Sequence, residues 1–438
     1  MIARMVTRIA VVLVVAVGAF AVFVASSASV GAPSTSTFSI APPAAVVACP
    51  GPQSVPVGDV GAGGDLASEP TQRTFNVYAP VATTPQGDGQ AADAPVAAQS
   101  EIIGNGDIEG WSALSCGQAK LDQWLVGGAT SLGSSARFVL SNPSAAPSEA
   151  TVTVFGPLGQ VQTTLVVAVA PGAQVDKLVE AVAAELPAMV LRVQATGPGL
   201  VAALQDSRLE GFQPAGTEWV APSDLASTLV IPAVGAQDPN ATVTLRLMAP
   251  EGASVELKLV SDQGIEPWSV GRALVLEPGI VTDIDLPQGL AGAIEVRGDN
   301  ALVAAARTVV PREPREAIVG DVAYDHMWVS GESLGDGTLT GVLPLKGARI
   351  AVYSPTNAHV VVRDSGGATI AEADLTARTV TWLDVVAPAG TVLSTKGEFA
   401  WAFVMESDAG YLASSAPVSL DEKSLTATVV SAHFPAGS

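Results

Sequence analysis

Residues 136–159 read ARFVLSNPSAAPSEATVTVFGPLG, in the order strand, turn, strand, turn. Within residues 151–155, Val152 and Val154 face one way and Thr151 and Thr153 the other. That period of two marks a strand with one buried face. The stretch returns twice, as TVTLRLMAPEGASVELKLVSDQG at 242–264 and ARIAVYSPTNAHVVVRDSGG at 348–367. In the second copy Val255, Leu257 and Leu259 alternate with Glu256 and Lys258, which places the charged pair on the solvent face. Ala136, Ala241 and Ala348 open the three copies about 105 residues apart, the length of one β-sandwich domain.

Working outward, each copy is announced by a Trp-containing strand, at Trp124, Trp219 and Trp328. The repeated stretch then reads as a hairpin. Each unit closes on an apolar strand, at 200–205, 302–308 and 400–406. Pro171-Gly172 and Pro278-Gly279 supply turns between strands. About seven short strands per unit argue for a sandwich and against a parallel sheet with crossover helices. The expected fold class is therefore all-β, with three tandem immunoglobulin-like or fibronectin-like β-sandwiches at 119–212, 213–313 and 314–438. One segment departs from the pattern: Val175, Leu178, Val179, Val182, Ala183 and Leu186 fall at helical spacing and predict a short amphipathic helix stopped by Pro187. Residues 424–430 could add one more strand near the C-terminus.

Ahead of the repeats, residues 29–118 are rich in Ala, Pro, Gly, Ser and Thr and read as a low-complexity stalk with a few strands, at 74–79 and 101–104. Residues 1–28 carry Arg4 and Arg8 before an apolar run from Ile9 to Ala25. Positive residues ahead of such a run hold the N-terminus inside and send the remainder across the membrane. A retained transmembrane helix is favoured over a signal peptide cleaved near Ser26-Ser27-Ala28, and both readings place the rest outside the cytoplasm. The cysteines Cys49 and Cys116 are then most simply a disulfide.

The chain has 438 residues, 48% hydrophobic and 14% charged, enough for several cores. Its formal charge of −21 makes nucleic acid and anionic membrane surfaces poor partners. Gly331-Glu332-Ser333-Leu334-Gly335 matches the G-x-S-x-G nucleophile elbow, but the turn residues Gly335-Asp336-Gly337 follow where the elbow needs a helix. Asp321, Asp325, His326, Glu332 and Asp336 gather oxygen and imidazole groups. One His and no Cys make a thin zinc set, and the EF-hand register is absent, so no metal site is assigned. Gly104-Asn105-Gly106-Asp107 lacks the spacing and the Lys of a phosphate loop and reads as a turn. Trp124, Trp219 and Trp328 read as core. Trp111 and Trp268, beside Gly and Pro, are candidates for stacking on a ligand ring.

The N-terminal apolar run, Cys49-Pro50-Gly51-Pro52, Cys116 followed by Trp124, Asn142-Pro143-Ser144 leading into Ala150–Val154, and residues 202–216 running into Trp219 together resemble a family of uncharacterised extracytoplasmic proteins from actinobacteria, a domain of unknown function. The resemblance implies a cell-envelope role and brings no catalytic residues. The expected function is a non-catalytic scaffold or recognition protein of the envelope, with no cofactor. Its partner would be an envelope protein or glycan, and it would meet the membrane only through the N-terminal helix. The alternatives are a carbohydrate-binding module using exposed Trp and a cryptic hydrolase using Ser333.

Overall fold

The computed structural model describes residues 34–40, 46–55, 69–79, 96–211, 213–268, 274–314, 322–419 and 425–431. The chain divides into two units. In one, the strand Ser34–Ile40 pairs antiparallel with Leu425–Ser431. The other spans residues 44–421 and is built almost wholly of antiparallel strands.

In the larger unit a six-stranded sheet carries Asp122–Val126, Ser148–Gly156 and Val190–Ala195 at its centre. A four-stranded sheet holds, in order, Gln174–Leu178, Ser134–Ser141, Val201–Glu210 and Gln213–Val220. Both sheets contribute to one apolar cluster, which includes Phe138, Leu140, Val152, Val154, Leu191 and Leu204. The alternation of the strands produces this packing, because every second side chain of each strand points into the shared layer.

The same pairing scheme occurs three times. Ser134–Ser141 pairs with Gln174–Leu178 and Val201–Glu210. Thr242–Met248 pairs with Thr282–Asp285 and with residues 303–309. Arg349–Ser354 pairs with Thr379–Asp384 and Ala400–Glu406. In each copy the following strand, Ser148–Gly156, Ala253–Ser261 or Ala358–Asp364, lies in the opposite sheet. In the middle copy the 21-residue strand Gly292–Arg312 serves both sheets in turn.

The repeated stretch is thus not a hairpin, as its reading suggested, but an arch from one sheet to the other. Alternation is identical in the two arrangements. The connections, however, carry Pro143, Pro250 and Pro355, which cannot donate to a ladder. The expected helix at 175–186 is also replaced: Gln174–Leu178 is an edge strand on Ser134–Ser141, and only Val179–Ala181 turns, as a 3-10 segment. A spacing of three puts Val175 and Leu178 on one helical face but on opposite faces of a strand, so the available edge of Ser134–Ser141 overrides the local pattern.

Two boundaries move. The Trp219 strand, Gln213–Val220, pairs with Val201–Glu210 and so closes the first pair of sheets rather than opening the second. The Trp328 strand, Ala323–Ser330, likewise pairs with residues 305–312. Part of the expected stalk is packed structure. Arg73–Tyr78, Ala98–Ile103 and Gly110–Ser115 form a three-stranded sheet. Residues 46–55 lie along it, with Gln99 bonding both backbone groups of Gly51, and Glu101 accepting from Gln53 N. The Cys49–Cys116 disulfide closes this arrangement. The predicted leader lies outside the described residues, and no helix among the described residues is long and apolar enough to cross a membrane.

Gly110–Ser115, Gln213–Val220, Ala323–Ser330 and Leu412–Ser415 each end a sheet or pair with one strand only, and the four pack together. Edge N–H groups buried this way need acceptors. Side-chain carboxyls supply them. Glu218 accepts from Trp219 N (2.8 Å), Ala113 N (3.2 Å) and Ser414 N (3.2 Å). Asp325 accepts from His326 N (3.0 Å), Leu412 N (3.0 Å) and Trp111 N (3.3 Å). Glu109 takes Arg312 Nη1 at 3.0 Å and the Tyr411 hydroxyl at 2.5 Å. Burial pushes Glu218 well above the usual carboxyl range and Asp325 up to about 8, against the pull of their N–H donors.

Candidate functional site

A cleft of about 260 Å³ opens where the outer face of the second pair of sheets meets the third. Three neighbouring strands set its floor. Across them Thr228, Arg297 and Glu256 stand in one row, and Val230, Glu295 and Lys258 in the next. The rows are two residues apart, so their side chains share one face. The far wall comes from Tyr353 and Arg378.

Arg378 Nε donates to Glu295 Oε1 at 2.8 Å, and its Nη2 donates to Glu295 Oε2. The Tyr353 hydroxyl donates to the same Oε1 at 2.5 Å. Arg378 holds this fork with a left-handed backbone, φ 58°, while its N–H bonds Ser354 O at 2.8 Å. A non-glycine residue in that region costs on the order of 1–3 kcal/mol and persists only where its surroundings hold it. Here the bidentate bond to a carboxylate does so. Burial would raise the Glu295 carboxyl. Hydrogen bonds from Arg378 and Tyr353, with the charges of Arg378 and Lys258, outweigh it and hold Glu295 below the ordinary range. Burial, followed by the Glu295 hydrogen bond and charge, pushes the Tyr353 hydroxyl up against the pull of Arg378, and the hydrogen bond to Glu295 pushes the Arg378 guanidinium up. Lys258 Nζ reaches Glu256 at 3.3 Å. Arg297 is exposed and makes no hydrogen bond or ion pair to any described residue. The cleft therefore offers fixed hydrogen-bonding groups on rigid strands and one cation without a partner among the described residues, which suits recognition of an acceptor-rich group.

The residues singled out from sequence lie elsewhere. Trp111 stacks on Tyr411, ring centroids 5.8 Å apart and 11° from parallel, so one of its faces is occupied. Trp268 is half-buried against a different apolar cluster. Trp124, Trp219 and Trp328 are buried, as their reading as core implied. Ser333 Oγ donates to Asp224 Oδ2 at 2.6 Å, and its N–H bonds the same oxygen. His326 Nδ1 bonds Ala215 O, and His359 Nδ1 lies 2.8 Å from Asp374; His433 lies outside the described residues. The strand Asp336–Val342 follows the G-x-S-x-G stretch, where a nucleophile elbow needs a helix. Of the acidic group, Asp325 and Glu332 are occupied by backbone N–H groups, Glu332 by Trp401 N. Asp321 lies outside the described residues, and no cluster of metal-ligand spacing occurs among those described. In the 104–107 turn, Asn105 Oδ1 accepts from Thr71 N and Gln72 N, a structural cap.

Arg378, Glu295 and Tyr353 gave no signal in the sequence. Glu295 lies 58 residues from Tyr353 and 83 from Arg378, and a left-handed Arg lacks the Gly that would have marked its turn.

A search of curated proteins finds no match. Among solved structures, a biofilm associated protein, BSP domain, is similar at 10% identity over 82% of this chain and 67% of that one, with a TM-score of 0.17, too low to bear on the fold. A family of unknown function (DUF5719) matches residues 71–388, well over half the chain, and the protein belongs to that family.

Proposed function

We propose that the chain is a non-catalytic recognition scaffold of the cell envelope, held outside the cytoplasm, with three immunoglobulin-like sandwiches in tandem. The threefold recurrence of one pairing scheme supports the tandem reading. Arg4 and Arg8 ahead of the apolar run at 9–25 support an exported chain. So does the Cys49–Cys116 bond, which an oxidising compartment sustains. The actinobacterial setting is what the family resemblance implies.

The observation that carries scaffold over enzyme is the use made of buried acidic groups. Glu109, Glu218 and Asp325 join sheet edges and tie Arg312, rather than facing a solvent-filled cleft. A body locked in this way presents surface groups at fixed spacing, which recognition needs. The cleft over Glu295 and Arg378 is the surface that would read a partner, an envelope protein or a glycan.

The test replaces Thr228, on the cleft floor, with a photo-crosslinking residue in living cells. Capture of a defined envelope protein is the expected result. Capture of polysaccharide alone would favour the glycan alternative. A chain wholly protected from protease added outside intact cells would overturn the placement.

A further inference from the structure

We propose that the chain binds a small oxyanion, a phosphate or carboxylate group, between Arg307 and Arg208 at the junction of the first and second pairs of sheets. Three guanidinium groups gather on one buried tryptophan and its carboxylate partner. Trp328 Nε1 donates to Asp206 Oδ2 at 2.8 Å. Arg208 Nε reaches both oxygens of Asp206, at 3.2 and 3.0 Å. Arg246 and Arg307 lie over the Trp328 ring, at 5.1 and 5.9 Å from its centroid.

The partners of these three differ. Arg246 is fully used, with Asp283 in a bidentate pair at 2.8 Å and the carbonyls of Gly128 and Met189 accepting from Nη1. Arg208 Nη2 is buried and has no acceptor among the described residues. Arg307 is only partly exposed and makes no hydrogen bond to any described residue. His326 adds no compensation: its Nε2 also faces Asp206, at 3.4 Å. The cluster thus sets the carboxylates Asp206 and Asp283 against the guanidiniums Arg208, Arg246 and Arg307, and one positive charge stands without a counter-charge among the described residues.

An interior charge with free donors is costly unless something pairs with it. Burial, followed by the Arg208 and Arg246 charges, pushes Arg307 down to about 9, so it remains a cation at neutral pH. Guanidinium donors lie in one plane in fork geometry, which matches the two oxygens of a carboxylate or phosphate. The open donors belong to two groups on different pairs of sheets, so an oxyanion there would bridge the junction.

The test follows thermal unfolding of the full chain at pH 7 and constant ionic strength, with chloride exchanged for inorganic phosphate in one series and acetate in another. A saturable rise of several degrees is expected in at least one series, with one site per chain by calorimetry. Which series saturates tells phosphate from carboxylate. Arg307→Met should lose the rise, and without oxyanion it should be at least as stable as the parent, because it removes the unpaired charge. Arg363→Ala, an exposed arginine remote from both this cluster and the cleft, should keep the rise. If Arg307→Met does not fold, Arg208→Gln should weaken binding about tenfold. No saturable rise in either series, or a rise unchanged in the folded junction variant, would overturn the site.

Discussion

Glu218→Ala tests the convergence of sheet edges directly. The Glu218 carboxyl serves N–H groups on Gly110–Ser115, on its own strand Gln213–Val220, and on Leu412–Ser415. All three bonds are buried. An N–H left without an acceptor in the interior costs about 1–3 kcal/mol. Three of them set a loss of roughly 4 kcal/mol, allowing for local relaxation that readmits water to one. The assay is urea unfolding of the disulfide-intact protein followed by tryptophan fluorescence, with Ser333→Ala as an exposed control. A second readout is hydrogen exchange at Ala113 and Ser414, which lie in different sheets and should lose protection together. A loss under about 1 kcal/mol, or faster exchange confined to residues near 218, would refute the view that this carboxyl links the edges.

Further outcomes follow from the same geometry. Gly216 has φ 92°, and an added Cβ would lie 2.3 Å from Asp325 Oδ1 and 2.9 Å from His326 N; Gly216→Ala should cost roughly 3 kcal/mol by denaturant unfolding, and a neutral result would mean the edges sit further apart. Asp325 has its carboxyl raised from 3.8 to about 8, so the folded state holds a proton that the unfolded chain has lost. That stabilisation is complete below about pH 4 and is lost as pH rises toward 8; Glu332, raised to about 8 by burial and the Asp224 charge, acts in the same direction. Urea midpoints should therefore fall from pH 5 to pH 8, less steeply in Glu332→Gln, and a rising profile would contradict the assignment. Reducing Cys49–Cys116, which closes a separation of 67 residues, should cost about 4 kcal/mol in the chain-entropy model, measured as the shift in unfolding free energy with and without reductant.

The strands themselves were legible because alternation is a local property. Val152 and Val154 against Thr151 and Thr153 state which face is buried without reference to any partner. The recurrence at 136, 241 and 348, the pairing of Cys49 with Cys116 and the burial of Trp124, Trp219 and Trp328 were readable for the same reason or by elimination. Val175 and Leu178 show the limit: their spacing suits a helix face and not a single strand face, yet the free edge of Ser134–Ser141 took the segment into the sheet.

What only the tertiary structure decided is which strands meet. A strand's pattern records that one side is covered, not what covers it, so an arch between sheets and a hairpin within one look the same along the chain. The Trp219 strand could only be placed in the first pair of sheets by its hydrogen bonds to Val201–Glu210. The carboxyls that hold the edges, the fork of Arg378 on Glu295 and the arginine cluster around Trp328 are all made by residues brought together from distant positions. A charged side chain in the sequence reads as solvated by default, and only packing shows that water has been removed and something else must bond it.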